Sequence, residues 1–358
     1  MARMNEMKVS AIGIMSGTSL DGLDICLAEF RFDGKWDFRI IAADCIPYSD
    51  EWHKALSTAH QLSADKLTRL SSAFGKYAAE QVNGFMDRNK LTKPDLVCSH
   101  GHTVFHDPSK RYTLQIGSGE EIAKLTGLTT VSDFRSLDVS LGGQGAPLVP
   151  IGDELLFADY EACLNLGGFS NISFREGGER RAFDVCPVNI ALNPLALTVG
   201  KPFDENGGMA RAGTLNVELL QRLNDLSIYK EGKRPSLARE WLEQAFWPMV
   251  EGADVPLENK LRTVTEHAAI QISSVINAKA ANGRVLATGG GAKNGFLMER
   301  IAALSNAKVV VPELDIVDFK EALIFAFLGV LRWQGEINVL RSVTGAERDS
   351  CSGTISLP

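Results

Sequence analysis

The sequence predicts an α/β protein made of two lobes that repeat the order β-β-β-α-β-α. Three observations support this: strand-like and helix-like segments follow one another in the same order twice, a Gly/Ser/Thr turn joins the first two strands of each half, and 358 residues suit two domains of about 150 residues. We expect an N-terminal lobe over residues 1–150 and a C-terminal lobe over residues 151–358. Ligands of such folds bind between domains, which predicts an interlobe cleft. Two unrelated domains are the alternative.

The first half begins with three strands, which β-rich runs place at Val9–Ile14, Asp24–Phe32 and Phe38–Cys45. Amphipathic stretches then predict helices near Asp50–His60 and Ala64–Asn89. Short apolar runs predict further strands at Asp95–Cys98, Tyr112–Ile116 and Thr129–Val131.

The second half restarts this order with short strands at Glu161–Leu166, Asn171–Phe174 and Arg181–Phe183. Helices are expected near Ile190–Thr198, Thr214–Asp225, Ala238–Phe246 and Leu257–Ala281. A strand at Arg284–Ala287, a helix at Asn294–Leu304, a strand at Lys308–Val311 and a helix at Val317–Arg332 complete the repeat.

Composition excludes several classes of protein. Lys and Arg number 37 against 44 Asp and Glu, and 45% of residues are apolar, which is close to an average globular domain and unlike a protein that coats nucleic acid. The six cysteines form no C-x-x-C pair and are expected to be reduced. The longest apolar run, Ala322 to Leu331, has ten residues, half of the roughly twenty that a membrane span needs. We expect a cytoplasmic protein with no nucleic-acid or membrane partner.

The glycine turns are the first candidate binding elements. No Walker A loop or complete G-x-G-x-x-G is present, since Ile122 stands where the third glycine would follow Gly117 and Gly119. The turn that begins at Gly17 combines backbone N–H groups and hydroxyls with two aspartates, groups that can hold a phosphate and Mg²⁺. An ordinary hairpin turn is the alternative.

Two further glycine turns lie in the second half. Gly167 and Gly168 occupy the matching position between its first two strands, so both halves could face one polyphosphate. Three glycines, Gly289 to Gly291, separate a strand from a helix, where a nucleoside can lie flat against the backbone and the helix N-terminus attracts anions.

Polar side chains elsewhere offer several interpretations. The loop expected at Ser99–His106 contains three of the six histidines and could bind a metal, contact a polar substrate or be structural, although no familiar zinc spacing is present. The Asp133–Asp138 segment and the glycine-rich loop after it bring together acids, Arg135 and Gln144, which could bind sugar hydroxyls or, through Arg135, a carboxylate. A charged surface turn is the alternative.

Two acids are candidates for catalysis. Asp184 is expected at the end of a strand and before a helix, which is the position of a general base in an α/β site or of a helix N-cap. Glu321 lies in register with the apolar face of the last helix and is expected to be buried, either as a paired core acid or as a cleft residue, because an unpaired buried carboxylate is costly.

Taken together, these motifs resemble the anhydro-N-acetylmuramic acid kinases, whose fold is of the actin, hexokinase and Hsp70 type. The resemblance covers nearly the whole chain. The segments that carry it are Ile14–Asp24, Ser99–Thr103, Asp133–Arg135, Gly142–Pro150, Asn165–Asn171, Phe183–Asp184, Phe203–Gly207, Gly289–Asn294 and Val343–Ala346.

The resemblance implies a kinase that uses ATP and Mg²⁺ to open a 1,6-anhydro amino sugar recycled from peptidoglycan, giving N-acetylmuramic acid 6-phosphate. Asp184 would be the base that activates the attacking water, and Glu321 would help place that water. Asp21 would hold the metal, and relatives suggest a homodimer. The nucleotide would contact Gly17, Thr18, Ser19, Leu20, Asp21, Gly22, Leu23, Asp24, Gly167, Gly168, Asn171, Gly289, Gly290, Gly291 and Asn294. The sugar would contact His100, His102, Arg135, Asp138, Gln144 and Asn189.

The chain departs from the family pattern beside the predicted base. Where the family usually has Thr and two glycines, it has Val185, Cys186 and Val188. Asn193, followed by a proline, replaces a usual aspartate, and His102 replaces a usual glutamine. Bulkier residues at glycine positions could reshape the sugar pocket. A kinase for another anhydro sugar such as levoglucosan, and a binding relative with impaired catalysis, are therefore the alternatives.

Overall fold

The computed structural model describes residues 7–17, 19–230 and 237–358, and Thr18 of the predicted nucleotide turn lies outside them. In chain order the strands are β1 (Met7–Ser16), β2 (Gly22–Phe32), β3 (Trp36–Pro47), β4 (Leu96–Asp107), β5 (Tyr112–Ile116), β6 (Thr129–Ser132), β7 (Ala162–Leu166), β8 (Phe169–Glu176), β9 (Glu179–Pro187), β10 (Arg284–Thr288), β11 (Lys308–Val310) and β12 (Thr354–Ser356).

The helices are α1 (Asp50–Ser57), α2 (Ala64–Arg88), α3 (Gly119–Thr126), α4 (Ser136–Ser140), α5 (Pro150–Leu155), α6 (Asn189–Leu197), α7 (Gly208–Ala212), α8 (Val217–Asn224), α9 (Arg239–Trp241), α10 (Trp247–Glu251), α11 (Leu257–Lys279), α12 (Gly295–Leu304), α13 (Leu314–Gln334) and α14 (Arg341–Thr344). The single helix expected over Ala238–Phe246 is instead α9 followed by a π-helical turn at Leu242–Phe246.

The chain forms two compact units. The first contains residues up to Leu156 together with Phe319–Pro358, and the second contains Phe157–Asp318. The predicted N-terminal boundary at residue 150 therefore lies close to the observed one, but the predicted extension of the second lobe to residue 358 is wrong. The chain returns to the first unit because β12 pairs with β6 and the apolar side of α13 packs there.

The two units share a five-strand sheet topology, to which the first unit adds β5 and β12. In the first, the strand order is β12-β6-β4-β1-β2-β3, with β5 paired to β4. The order in the second is β11-β10-β7-β8-β9. Each sheet has an antiparallel three-stranded meander whose first strand pairs in parallel with a later strand, and that strand pairs in parallel with the next. The predicted duplicated α/β fold is confirmed.

Apolar faces bury each sheet. In the first unit, Phe74 and Phe85 of α2 pack in one cluster with Ile12 and Ile25 of the meander. Phe327 of α13 lies 5.3 Å, between ring centroids, from Phe30 of β2. Residues 322–331 are all buried, so the long apolar run is a core helix, as predicted. In the second unit, the buried residues of α11 and α6 form one core with the sheet.

Strand pairing extends two strands past their predicted ends. The histidine-rich segment predicted as a loop lies inside β4, because β5 turns back and pairs with it from His102 to Asp107. Likewise, Asp184 lies inside β9, paired with Asn171 of β8, and is not at the strand's end. Both predictions were wrong because the partner strands supply hydrogen bonds that local composition does not reveal.

No helix in the described residues is long and apolar enough to cross a membrane.

Gly13 of β1 gives a test of the packing of α13. A Cβ built there would collide with the Ala322 carbonyl group and lie 2.8 Å from the Ala326 nitrogen. We expect Gly13→Ala to lower the free energy of unfolding by about 2–3 kcal/mol, measured by urea titration. Gly84→Ala is the matched control, because its Cβ meets only the mobile end of Arg88 and alanine favours a helix by about 1 kcal/mol. Equal stability of the two variants would contradict this account.

Candidate active site

The turn that joins β1 to β2 is shaped by close packing. Leu20 donates its N–H to the Gly17 carbonyl at 3.3 Å and has a φ of 62°. A Cβ on Gly22 would lie 2.6 Å from the Ile46 carbonyl oxygen and 3.0 Å from Cys45 Sγ, so β2 can start here only with glycine. Asp21 is exposed at the tip. Among its described residues, the predicted nucleotide segment therefore has a close Gly17–Leu20 contact and an accessible carboxylate at Asp21.

Asp24 lies just inside β2, across from Cys45 of β3. The Cys45 thiol donates a hydrogen bond to this carboxylate, and lost hydration together with that bond raises the pKa of Cys45 to about 12. The thiol is therefore protonated at neutral pH, and it holds one side of Asp24.

His102 takes part in a hydrogen-bonded chain at the end of β1. Its Nδ1 is 2.9 Å from Ser16 Oγ, and the Tyr48 hydroxyl donates to the same oxygen at 2.7 Å. Burial lowers the pKa of His102 to about 4. The imidazole is neutral at physiological pH and faces Ser16, the residue before Gly17.

The buried His100 pairs with the half-buried Arg135. Arg135 donates from Nε at 3.0 Å and from Nη2 at 2.8 Å to His100 Nε2, and from Nη1 to the Gly145 carbonyl. His100 Nδ1 lies 2.9 Å from the Gly101 carbonyl oxygen, which places the proton on Nδ1. Burial and then the Arg135 charge hold the pKa of His100 well below its usual range. Burial lowers the pKa of Arg135 to about 10, so Arg135 is the charged member of the pair.

Asp138 lies under the glycine-rich loop. It is fully buried, accepting from the Gly145 N–H at 2.8 Å and from the Thr344 hydroxyl at 2.7 Å. Gly143 packs so closely that a Cβ would collide with the Asp138 carboxylate. The structure thus makes Asp138 a support of the loop and not a side chain turned toward a ligand, whereas Gln144 of that loop is exposed.

Glu321 is accessible to solvent, so its predicted burial is wrong. Its neighbour Lys320 is the buried charge on α13 and pairs with Asp153 of α5 at 2.6 Å. The protein atoms packed around the Glu321 carboxyl group displace part of its hydration and raise its pKa. The Arg135 charge opposes this shift, and the Asp24 charge adds to it. Glu321 therefore shares the electrostatic surroundings of Asp24 and Arg135.

A row of polar residues crosses the second sheet. Asn165 of β7 is directly opposite Asn171 of β8, and Asn171 is opposite Asp184 of β9. All three are half-buried. Asp184 Oδ2 accepts the Leu237 N–H at 2.9 Å. Because Val188 is the N-cap of α6, the alternative of Asp184 as that helix's N-cap is excluded.

The glycine turns of the second unit follow β7 and β10, two parallel strands, and therefore lie at one edge of the sheet. Gly289 has a φ of 84°, and a Cβ there would be 2.5 Å from Asn165 Oδ1. The carbonyls of Gly167 and Gly168 accept the N–H groups of Asn189 and Val188 at 3.2 and 2.8 Å. The structure thus brings both turns to the edge where Asn165 lies.

Asn189 and Asn294 anchor these turns. Asn189 Nδ2 donates to the Leu166 carbonyl at 3.2 Å. Asn189, which was predicted to contact the sugar, therefore lies against the turn of Gly167 and Gly168. Asn294 caps α12 by accepting the Leu297 N–H at 3.0 Å, which confirms the predicted start of that helix.

The unusual residues beside Asp184 point inward. Cys186 and Val188 are fully buried in the core of the second unit, and Cys186 Sγ lies 3.3 Å from Ser170 Oγ. Neither side chain is exposed, so neither can reshape a sugar pocket by contacting the sugar directly, as had been expected.

Sequence reasoning missed several residues that organise these regions. Thr344 and Asp138 are 206 positions apart, and Tyr48 and Ser16 are 32 apart, so no local signal connects them. Asn165 could have been found from its place two residues before Gly167. Gln115 of β5, which sequence reasoning did not single out, lines a cavity of about 920 Å³ in the first unit together with Asp133.

Two sheets of one topology, with glycine turns between their first strands and an acid on the second sheet, define a duplicated α/β protein suited to phosphate-bearing ligands. A family model described as anhydro-N-acetylmuramic acid kinase matches residues 9–358. A protein of Pseudomonas fluorescens (strain Pf0-1) named anhydro-N-acetylmuramic acid kinase is 37% identical over 357 residues, covering 94% of this chain and 96% of that protein. The chain therefore belongs to the anhydro-N-acetylmuramic acid kinase family.

Solved structures also resemble the chain at low sequence identity. Component A of the (R)-2-hydroxyglutaryl-CoA dehydratase of Acidaminococcus fermentans has a TM-score of 0.45 at 11% identity, over 89% of this chain and 96% of that one. A ROK family glucokinase of Streptomyces griseus, solved with glucose and AMPPNP, has a TM-score of 0.42 at 12% identity, over 89% of this chain and 98% of that one.

The neutral state of His102 predicts how stability depends on pH. Its pKa is about 4 in the folded protein and about 6.5 when unfolded. Below pH 6.5 the unfolded chain therefore binds a proton that the folded protein does not. The free energy of unfolding consequently decreases as the pH is lowered. When the pH is lowered from 6.5 to 5, we expect the free energy of unfolding of His102→Gln to fall by about 1.5 kcal/mol less than that of the parent. Urea titrations at pH 6.5 and pH 5 provide the measurement. An identical loss in both proteins would contradict the neutral assignment.

Proposed function

We propose that this protein is an ATP-dependent kinase that opens 1,6-anhydro-N-acetylmuramic acid and phosphorylates its O6, giving N-acetylmuramic acid 6-phosphate during peptidoglycan recycling. The observation that carries the proposal is the position of Asp184, which lies in register with Asn171 on the sheet whose edge holds both glycine turns. The kinase family model matches the chain from residue 9 to residue 358.

Asp184 is proposed as the general base. Its carboxylate takes a proton from water as the water oxygen bonds to the anomeric carbon, and the bond from that carbon to O6 breaks. O6 then bonds to the γ-phosphorus of ATP, and ADP leaves with the bridging oxygen. The Leu237 N–H on Oδ2 fixes the carboxylate's orientation and supports this role, because a general base must be held within hydrogen-bond reach of the proton that it takes.

Arg135 and Glu321 of the first unit are proposed to act on the sugar and the water. Three of the five N–H donors of Arg135 are engaged by His100 and Gly145, which fixes the guanidinium plane and leaves two donors for a ligand oxygen. Glu321, accessible beside this charge, is the acid proposed to orient the water. The exposed amide of Gln144 is a further sugar contact in this proposal.

The nucleotide is proposed to bind the glycine turns, with Gly17–Asp24 and Gly167–Gly168 at the phosphates and Gly289–Gly291 at the nucleoside. Mg²⁺ keeps several waters and usually takes one or two protein carboxylates beside substrate phosphates. The exposed Asp21 fits such a donor set. Within the described residues no group of three or more His, Cys, Asp or Glu side chains could hold a metal, so phosphate oxygens would supply the other ligands. Bound Mg²⁺ would neutralise charge on the transferring group.

Six free cysteines support the proposed cytoplasmic location, where thiols stay reduced.

Replacement of the proposed base gives the first functional test. We expect Asp184→Asn to lower kcat by at least about 10³-fold while leaving the affinity for MgADP within about twofold, because the amide oxygen can still accept the Leu237 N–H. Sugar-dependent ADP release and calorimetric ADP binding provide the two measurements. Asp225→Asn, an exposed carboxylate paired with Lys230, is the control. Near-parental turnover of Asp184→Asn would remove Asp184 from the chemistry.

A panel of anhydro sugars tests the acceptor. We expect ADP release to depend on anhydro-N-acetylmuramic acid, with kcat/KM at least about 100-fold above that for levoglucosan, since each unmatched polar contact costs binding. Mass spectrometry should find a product equal to substrate plus water plus one phosphoryl group. Preference for levoglucosan would select the other anhydro-sugar kinase, and absence of any sugar-dependent ADP would select a binding relative.

A further inference from the structure

The end of β1 is held by side chains as well as by its backbone ladder. Ser16 Oγ lies between the Tyr48 hydroxyl at 2.7 Å and His102 Nδ1 at 2.9 Å. Ser16 is 2% and His102 4% exposed, so water competes little for these bonds. Three segments therefore meet at one hydroxyl: the end of β1, the residue after β3, and the middle of β4.

These bonds lie where the backbone ladder is irregular. The parallel register of β1 with β4 runs evenly from Ala11 to Ile14 and then shifts, so that Ser16 is opposite His102. A bulge leaves the chain's direction less determined by backbone hydrogen bonds. The Ser16–His102 bond restores a fixed geometry one residue before the turn begins at Gly17.

The chemistry of the three groups sets the direction of the bonds. A serine hydroxyl has one proton, so if it accepts from Tyr48 it can donate to His102 Nδ1. That arrangement requires a neutral imidazole with its proton on Nε2. Burial lowers the pKa of His102 to about 4 and raises that of Tyr48, which keeps both groups in the required state.

Aromatic packing holds the partners of Ser16 in place. The Tyr48 ring lies 6.3 Å, between centroids, from Phe74 and 6.0 Å from Tyr77. Phe74 also packs edge-on against His102 at 6.2 Å. The imidazole and the phenol are therefore fixed before any ligand arrives, and Ser16 adjusts to them.

We propose that His102 is a positioning residue for the glycine turn: acting through the Ser16 hydroxyl, it sets the direction in which the chain leaves β1 at Gly17 and so tunes affinity for the nucleotide's phosphates. This inference rests on the proposed function, in which that turn binds ATP. It moves His102 from the sugar side, where the resemblance placed it, to the nucleotide side.

The test compares nucleotide and sugar parameters in single variants of the full-length protein. We expect His102→Ala and Ser16→Ala to raise KM for ATP and Kd for MgADP about tenfold, with KM for the sugar within twofold. Tyr48→Phe should raise them about threefold, since it removes the outer bond. His102→Gln, whose amide oxygen can accept from Ser16, should restore ATP KM to within about threefold of the parent. Ser10→Ala and Tyr77→Phe are matched controls.

These controls lose the same groups elsewhere. Ser10 is on the same strand but bonds Asp95. Tyr77→Phe removes only a hydroxyl and keeps the ring that packs near Tyr48, so both variants should keep parental values. Nitrogen NMR of labelled histidine should show His102 protonated on Nε2 in the parent at neutral pH. Protonation on Nδ1, or a rise in sugar KM with unchanged ATP KM, would overturn the inference.

A variant of the turn itself separates this inference from the proposed function. If Gly17→Val leaves MgADP affinity unchanged, the turn does not bind nucleotide and the nucleotide site of the proposed function fails. If Gly17→Val weakens MgADP binding and His102→Ala does not, only the role of His102 fails. Thermal melting of each variant shows that it is folded.

Discussion

The close packing of α13 on the first sheet is the constraint on which much of the first unit depends. Small residues permit it: a Cβ on Gly13 would collide with the Ala322 carbonyl, and one on Gly329 would collide with Cys98 Sγ. Once α13 lies this close, its buried Lys320 meets Asp153, and the next residue, Glu321, enters the surroundings of Arg135 and Asp24. The last forty residues follow, and they bring Thr344 to Asp138.

Burial also determines which groups of the first unit carry charge. It keeps His100 and His102 neutral, so they serve as fixed hydrogen-bond acceptors and not as titrating groups. Arg135 keeps its charge because a pKa of about 10 is still far above neutrality. A guanidinium held by a neutral histidine presents a permanent positive charge of fixed direction, which suits recognition of a ligand oxygen.

Local patterns predicted the elements well wherever the signal was itself local. Each three-stranded meander was found because β-rich runs alternate with glycine turns, and the turns at Gly17, Gly167 and Gly289 lie where expected. Predictions failed where pairing with a strand from another part of the chain determines the local structure. The histidine segment became strand through β5, and the polar row of Asn165, Asn171 and Asp184 needs three strands in register.

The amino-acid order alone determined the duplicated plan, the glycine turns and the family, because these rest on residue types at short spacings. Only the tertiary structure decided that Lys320 and not Glu321 is the buried charge, that Asp138 supports a loop, and that His102 faces Ser16. Helical periodicity placed Glu321 on the apolar face of α13, but α5 supplies Asp153, which pairs with the buried Lys320 instead. Burial and hydrogen-bond partners depend on residues up to 206 positions away, and their positions are set by packing and strand register, which short-range sequence patterns do not encode.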